Sequence, residues 1–571
     1  MEAVIREIEV SDGSRIEPPG AGVLVVVGPN NAGKSALLRE LWMRLTGGWP
    51  ADRSTVPLVA RAARVDKQAD SDEELQEWFE THSYVLVNER TGERSYRRPA
   101  GTYTWNVLLG EFRSSDDRLG PSLANFLAFY GTADARLGLL GGGATLWDPM
   151  SDTPTQPLQM LYADQGLERR LSDICFEAFR QPLTLARIPG SPINLHVGAT
   201  EYEAKIEPTP EYMQAIREMP LLASQGDGMR SFMGVMLTIV CATYPIILLD
   251  EPEAFLHPPQ ARLLGRKLAE ESGTSQVLVA THDSDFLAGA LDVAGRDVAV
   301  VRLTRRADVN RVSSLSASRL REVWNDPILR YSNILDGLFH RGVIACESDA
   351  DSRYYGAVLD AARIRQSKPP HDLLLTQAGG VHRLPVVVEA LQSLEVPAAV
   401  IVDFDVLRHS ALLRRLVEAF GRDWALFQDD WRVVDAQVRT RERNVSIDYA
   451  AEQIRGVLEA AGRTLTPQES ERIRAITKVE DGWSMLKTTG LPGVPAGDGQ
   501  IRCRRLLDGL KAIGIFVVPI GELEAWHSDI GGHGPSWVVD VLAAGHHDRD
   551  DTPSNPFVDE VATYLEGLAE E

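Results

Sequence analysis

Cysteine is scarce: Cys175, Cys241, Cys346 and Cys503 are the four in 571 residues, far apart and without CxxC spacing. That excludes a disulfide scaffold and a thiolate metal centre, and it fits reduced, mostly buried thiols in a cytoplasmic protein. Long apolar runs are missing, and Met1-Glu2-Ala3 opens no signal peptide, so no membrane role is expected. Positive charge is also short: 59 Lys and Arg against 81 Asp and Glu leave a formal charge of −22. Such a chain does not coat nucleic acid through bulk electrostatics, although a local basic groove or bound metals can still steer it. There is no internal repeat, low-complexity tract, zinc finger or helix-turn-helix signature. What remains is 44% hydrophobic and 25% charged, the balance of a globular chain too long for one core, so two to four domains are expected.

The stretch from Val23 to Leu45 organises the front half. A β-branched run, Val23 to Val27, feeds Gly28-Pro-Asn30-Asn31-Ala-Gly33-Lys34-Ser35 and then a segment of helix formers. This is the Walker A pattern: strand, phosphate-cradling turn, helix. Loop N–H groups and the helix N-terminus face a polyphosphate, Lys34 reaches its β- and γ-phosphates, and Ser35 offers its hydroxyl to Mg²⁺. Pro245-Ile-Ile-Leu-Leu-Asp250-Glu251 reads as Walker B, a buried strand that delivers Asp250 to the metal while Glu251 polarises the attacking water. Between them, Ser224-Gln-Gly226-Asp-Gly228 precedes an apolar helix. Gln276 to Ala280 gives a second buried strand ending at Thr281-His282, with His282 placed to sense the γ-phosphate. Val4 to Val10 alternates like an edge strand, and residues 50–120 read as strands and a helix beginning near Asp70. Arg136 reads as structural rather than as a nucleotide contact. Asp297 to Leu303 reads as the last core strand, followed by a helical connector from Ser313 to Leu335.

The pattern then restarts. Strands expected at 342–346, 373–376, 398–402 and 514–519 alternate with helices. Three of them end in acids: Glu347, then Asp403 with Asp405, then Glu522 with Glu524; Asp349 and Asp351 follow Glu347. Such alternation implies a parallel sheet with carboxylates along its C-terminal edge, where α/β sheets place their sites. Clustered carboxylates need a cation, and hard oxygen ligands select Mg²⁺ or Mn²⁺. A helix cap for Asp349 or Asp351 is the plainer role for those two residues. Arg414-Arg415, Arg439/Arg441/Arg443 and Arg502/Arg504/Arg505 fit either phosphate contacts or solvated helix faces with acidic neighbours.

The front motifs, in this order, resemble the ATP-binding-cassette ATPase head in its SMC/Rad50-like branch. The Gln225-Gly-Asp-Gly-Met-Arg-Ser231 signature with Pro29-Asn-Asn-Ala-Gly-Lys-Ser35 resembles the OLD family of ATPases. The rear half is similar to the Toprim domain of topoisomerases, primases and OLD nucleases. The implied fold class is α/β: an ABC/SMC-like P-loop ATPase head over 1–335, with a dimerisation insertion around 145–220, then a Toprim (Rossmann-like) domain over 336–571 with a helical insertion around 408–510. The resemblance implies ATP held by Asn30, Asn31, Gly33, Lys34 and Ser35, with Ser224, Gly226 and Gly228 acting across a homodimer or higher oligomer. It implies cleavage metals on Glu347, Asp351, Asp403, Asp405 and Glu524.

Two features depart from the pattern. Ser348 stands where glycine is usual, and no lysine follows Lys511, so Lys511, Lys487 or Arg549 is left to supply the late basic group. The function implied is an ATP-regulated, Mg²⁺- or Mn²⁺-dependent endonuclease. Its layout is similar to the nuclease subunit of Gabija-type antiphage systems and to OLD-like retron effectors, which implies a partner defence protein and DNA in preference to RNA. Two other readings stay open: an ATP-switched scaffold or nucleic-acid-binding protein with a degenerate Toprim domain, and a Toprim nuclease acting on tRNA.

Overall fold

A computed structural model describes residues 1–48, 59–140, 152–188, 191–202, 207–241, 244–293, 295–330, 333–440, 446–461, 464–477 and 482–570. The chain divides into two compact units, Met1–Asp326 and Pro327–Glu571. The division therefore falls at Asp326, ahead of the expected position 335. No helix among the described residues is long and apolar enough to cross a membrane.

The first unit is built on a six-stranded sheet in the order Val309–Leu315, Val298–Arg306, Gly22–Val27, Gln276–Ala280, Ile246–Asp250, Ala128–Gly131. All pairings are parallel except that of the first two strands, which form an antiparallel hairpin. The continuous Val/Leu/Ile runs mark strands covered on both faces: Val23 to Val27 and Ile246 to Leu249 are at most 1% exposed. The register pairs Asp250 with Ala280 and Ala280 with Val26. The ends of the phosphate-loop, Walker B and switch strands thus line up along one edge.

Two local expectations change. The alternating segment at the start, Glu2–Val10, is the middle strand of a separate antiparallel sheet between Arg15–Ile16 and Ala60–Gln68. Its alternation reflects one buried face, which a central strand of a small sheet shares with an edge strand. The connector expected from Ser313 begins instead inside the strand Val309–Leu315, and helix starts only at Ala317–Asn325. Val312 and Leu315 pack inward there, so tertiary pairing overrides a helical reading of the serines. Over 152–220 the chain forms the helices Pro157–Ala163, Gln165–Phe179 and Pro210–Glu218 with the small hairpin Leu183–Leu185/Leu195–Val197, all inserted between two core strands. Residues 145–151, 189–190 and 203–206 of the expected insertion lie outside the described residues.

The second unit holds a four-stranded parallel sheet in the order Leu373–Gln377, Gly342–Cys346, Ala398–Val402, Ile515–Val517. Ile344, Ala399 and Phe516 pack with Tyr354, Tyr355 and Val358 of helix Asp349–Arg365 and with Val561 and Leu565 near the C-terminus. In chain order the strands run second, first, third, fourth. The switch point therefore lies between Gly342–Cys346 and Ala398–Val402, where such sheets open a crevice. Helices Ser410–Ala419 through Asp498–Lys511 are inserted before the last strand. Arg441 and Arg443 lie outside the described residues.

Candidate nucleotide and metal sites

In the first unit the phosphate loop is held from behind by residues far along the chain. Gly28 has φ +149°, and a Cβ there would lie 2.0 Å from the Leu303 carbonyl oxygen, so only glycine fits between loop and neighbouring strand. Asn310, 2% exposed, donates from Nδ2 to the Ala32 carbonyl at 2.5 Å, while its own backbone binds Ser11 and Asp12. Asn31 takes a left-handed φ of 61°, and helix Lys34–Thr46 starts after Gly33. Asn30 and Asn31 are exposed on the loop. Lys34 Nζ donates to the Gly28 and Pro29 carbonyls at 2.6 and 3.0 Å, which keeps the ammonium inside the loop.

Ser35 hydrogen-bonds Asp250, whose carboxyl is raised above the usual range by burial, with Glu251 adding to the rise. Asp250 Oδ1 is buried without a hydrogen-bond partner among the described residues. An acceptor of this kind beside a serine hydroxyl suits Mg²⁺, so the residues present fit the ion. Glu251 has a left-handed φ of 46° and its N–H bonds the Ala280 carbonyl. Its carboxylate lies 3.6 Å from His282 Nδ1. Glu253, only 3% exposed, accepts from Thr281 Oγ1 at 2.6 Å and from the His282 N–H at 3.1 Å, and sits 3.4 Å from His282 Nδ1. Burial raises its carboxyl as well. Glu253 carries no motif role of its own in the sequence, although it stands two places after Glu251 in Asp-Glu-Pro-Glu.

Arg136 is completely buried and structural, as its sequence context suggested. It donates from Nη1 to the Gly131 and Asp250 carbonyls at 2.6 and 2.7 Å and from Nη2 to the Glu251 carbonyl at 2.9 Å. One guanidinium therefore fixes the backbone that carries both Walker B acids. Gly226 caps the helix Asp227–Val240, and a Cβ on Gly228 would meet the Phe255 carbonyl at 2.7 Å, so the signature helix packs tightly on the loop after Walker B. Ser224 Oγ donates to the Leu221 carbonyl at 2.7 Å.

In the second unit, Glu347 and Asp403 end adjacent strands across the switch point, and the Asp403 N–H donates to Glu347 Oε1 at 3.1 Å. Burial, reinforced by Asp351 and Asp405, pushes the Glu347 carboxyl up to about 7. Burial together with Glu347, Asp351 and Asp405 pushes Asp403 up to about 9. Asp351 closes a capping box: the Ser348 N–H and hydroxyl donate to its Oδ2 at 2.9 and 2.6 Å, so Ser348 serves the helix where glycine was expected. Lys487 Nζ lies 4.0 Å from Asp405 Oδ2 and 3.6 Å from Glu522 Oε2. Burial opposes its charge, yet Asp405, Glu522 and Asp403 hold the ammonium above its ordinary range.

Of the three basic residues left open for this role, Lys487 is thus the one at the acids; Lys511 pairs with Glu560 at 2.7 Å. Glu524 accepts from the Gly534 N–H and pairs with His533 Nδ1, both at 2.6 Å. Among the described residues, the groups of three that bring ligand atoms within 4.8 Å of one another are Glu522–Glu524–His533 and His527–Asp529–His546. The predicted quartet Glu347, Asp351, Asp403 and Asp405 shares a field but does not close to that spacing. Arg502 and Arg505 both bind Asp430, Arg414 pairs with Glu418 and Arg439 with Asp435, which makes these arginines helix-face partners of acids.

The family model described as "AAA domain, putative AbiEii toxin, Type IV TA system" matches residues 214–288, the span from before the signature through Walker B to just past His282. None of the curated proteins matches the chain. Among solved structures it is similar to an SMC head bound to the C-terminal winged-helix domain of ScpA, at 15% identity over 56% of this chain and 100% of that one, TM-score 0.35. It is similar to an SMC head with an extended coiled coil bound to the C-terminal domain of ScpA derived from Pyrococcus furiosus, at 12% identity over 57% and 99%, TM-score 0.32. It is also similar to the SMC head domain from Thermotoga maritima, at 15% identity over 55% and 100%, TM-score 0.27. Loop geometry, the Walker B edge and the AAA match agree that the first unit carries a P-loop ATPase core.

Proposed function

We propose that this chain is an ATP-regulated, divalent-metal-dependent endonuclease of the OLD type, its second unit a Toprim domain, acting in antiphage defence. The observation that carries the nuclease half is the pairing of Glu347 with Asp403 at the switch point of a parallel sheet, with Asp405 and Lys487 beside them. Two carboxyls pushed to about 7 and about 9, by burial first and by neighbouring carboxylates second, are acids in want of a cation. Glu347, Asp403 and Asp405 would hold Mg²⁺ or Mn²⁺, which when bound supplies Lewis acidity toward a phosphodiester. Lys487 offsets part of the charge of the edge and orients a phosphate oxygen, and Asp351 and Glu524 complete the acidic rim.

In the first unit Lys34, with Asn30, Asn31 and Gly33, cradles ATP, while Ser35 and Asp250 hold its Mg²⁺. Glu251 orients water, and His282, aligned by Glu253, faces the γ-phosphate. Ser224, Gly226 and Gly228 complete the site of a second copy, so nucleotide controls a homodimer or higher oligomer. The nucleic acid is DNA in preference to RNA, and a partner defence protein supplies the trigger.

A second reading, an ATP-switched scaffold, is favoured by Asp351, whose Oδ2 is already engaged by Ser348. Plasmid DNA and tRNA incubated with Mg²⁺ or Mn²⁺, with and without ATP, separate the two. Cleavage lost in Asp403→Ala supports the nuclease. ATP turnover, itself lost in Glu251→Gln, without cleavage of either substrate supports the scaffold.

A further inference from the structure

The second unit carries another cluster, made of residues that the reading above does not use. His527 ends the short turn Leu523–His527, Asp529 follows two residues later, and His546 opens the turn His546–Asp548 after helix Pro535–Ala543. Their ligand atoms lie within 4.8 Å of one another, and the two imidazole rings meet edge to face with centroids 4.9 Å apart. The inner histidine is oriented from behind. His527 Nε2 is 3.0 Å from the Tyr354 hydroxyl, which is 2.7 Å from Ser554 Oγ, with Tyr354 and Ser554 fully buried. A ring nitrogen committed to a buried hydroxyl chain holds the ring in place and leaves Nδ1 as its available ligand atom, the arrangement found behind metal-ligating histidines. The buried indole of Trp537 lies beside it, rings 6.1 Å apart, with an N–H that meets no protein acceptor among the described residues.

We propose that His527, Asp529 and His546 form a zinc site that pins these two turns to helix Asp349–Arg365. Two imidazoles and one carboxylate are an N,N,O set suited to Zn²⁺ rather than to Mg²⁺. Tetrahedral bonds of about 2.1 Å place ligand atoms roughly 3.4 Å apart, so the three groups, within 4.8 Å of one another, need draw in only slightly, with water in the fourth position. The other three-residue group, Glu522–Glu524–His533, is already satisfied internally, because Glu524 binds both His533 and the Gly534 N–H.

Full-length protein stripped with EDTA and dialysed is titrated with Zn²⁺ against a chromogenic chelator, and with Co²⁺ to read visible d–d bands. One tight Zn²⁺ per chain is expected, with tetrahedral-type Co²⁺ absorption, both retained in Asp403→Asn. His546→Gln and Asp529→Asn should each weaken binding by about 10-fold or more; Asp529 is exposed, so the second variant guards against a folding defect in the first. Absence of tight Zn²⁺ binding by the wild type, or unchanged binding in both variants, overturns the assignment. Loss in Asp403→Asn alone also overturns it, and moves the zinc to the acidic edge.

Discussion

Replacing Arg136 by methionine keeps most of the buried volume and removes the donors that hold the Walker B turn. Three main-chain carbonyls, those of Gly131, Asp250 and Glu251, lose partners at 2.6 to 2.9 Å. An unsatisfied buried acceptor costs roughly 1 kcal/mol or more, and the lost cation leaves Asp250, Glu251 and Glu253 facing one another, so the total is about 4 kcal/mol. Burial lowers the Arg136 pKa while those three acids raise it, so the guanidinium and the acids stabilise one another's charged forms. For a unit of this size, a Tm falls by about 2 °C per kcal/mol, giving roughly 8 °C in the transition of the first unit. Differential scanning fluorimetry with saturating ATP reads the shift, and steady-state ATP turnover should fall with it, because Asp250 and Glu251 are placed by the same backbone. Arg136→Lys should recover part of the stability through one ammonium but not the forked contacts. A methionine variant within a degree or so of wild type, turning over ATP normally, would refute the clamp.

Four other outcomes follow from the same geometry. Asn310→Ala removes the bond to Ala32 behind the phosphate loop, so the KM for ATP should rise several-fold with little change in kcat; an unchanged KM counts against it. Glu251→Gln should cut ATP turnover by roughly 100-fold while nucleotide binding by fluorescence titration persists. Lys487→Ala should abolish nucleic-acid cleavage and Lys511→Ala should not, since only Lys487 lies at the acids; the reverse result would relocate the basic group. Finally, Glu347 and Asp403 have folded pKa values raised above their unfolded ones, so their contribution favours the fold at low pH and is lost as pH rises through about 7 and then about 9. In EDTA the second unit's transition should fall from the ordinary carboxylate range upward, Glu347 accounting for about 3 kcal/mol by about pH 7 and Asp403 continuing the fall to about pH 9. Millimolar Mg²⁺ or Mn²⁺ at pH 8 should restore it, and Asp403→Asn should flatten the slope.

What the sequence made legible depended on whether a residue's role is local. Gly28 to Ser35 and Ile246 to Glu251 were readable because strand, turn and helix lie within one short window whose chemistry is fixed by spacing. Asn310 was not, because nothing near it signals that its side chain crosses to Ala32; it shares the inward face of an antiparallel strand with Val312, and a lone polar residue there carries no motif. Lys487 was one of three equivalent choices in the sequence and became distinct only when helix Gly482–Thr489 folded back to the sheet edge. Asp351 matched a spacing that serves both a metal rim and a capping box, and the side chain is engaged in the second.

The two units answer one electrostatic problem differently, and that difference leaves the rear acids with the weaker built-in counter-charge. Around Walker B, three carboxylates share a fully buried guanidinium built into the fold, so the backbone there stays placed whether or not nucleotide is bound. At the rear edge the protein's own counter-charge is Lys487, which is nearly half exposed at 44% and stands 4.0 Å from Asp405. Solvent screens such a contact, so it offsets only a fraction of the repulsion among Glu347, Asp403 and Asp405. Above neutral pH the folded rear sheet must therefore either keep a proton on Asp403 or hold a divalent ion. On the proposed reading Mg²⁺ or Mn²⁺ would serve as part of the stable fold of that edge, and chelation should loosen it while leaving the Arg136 clamp intact.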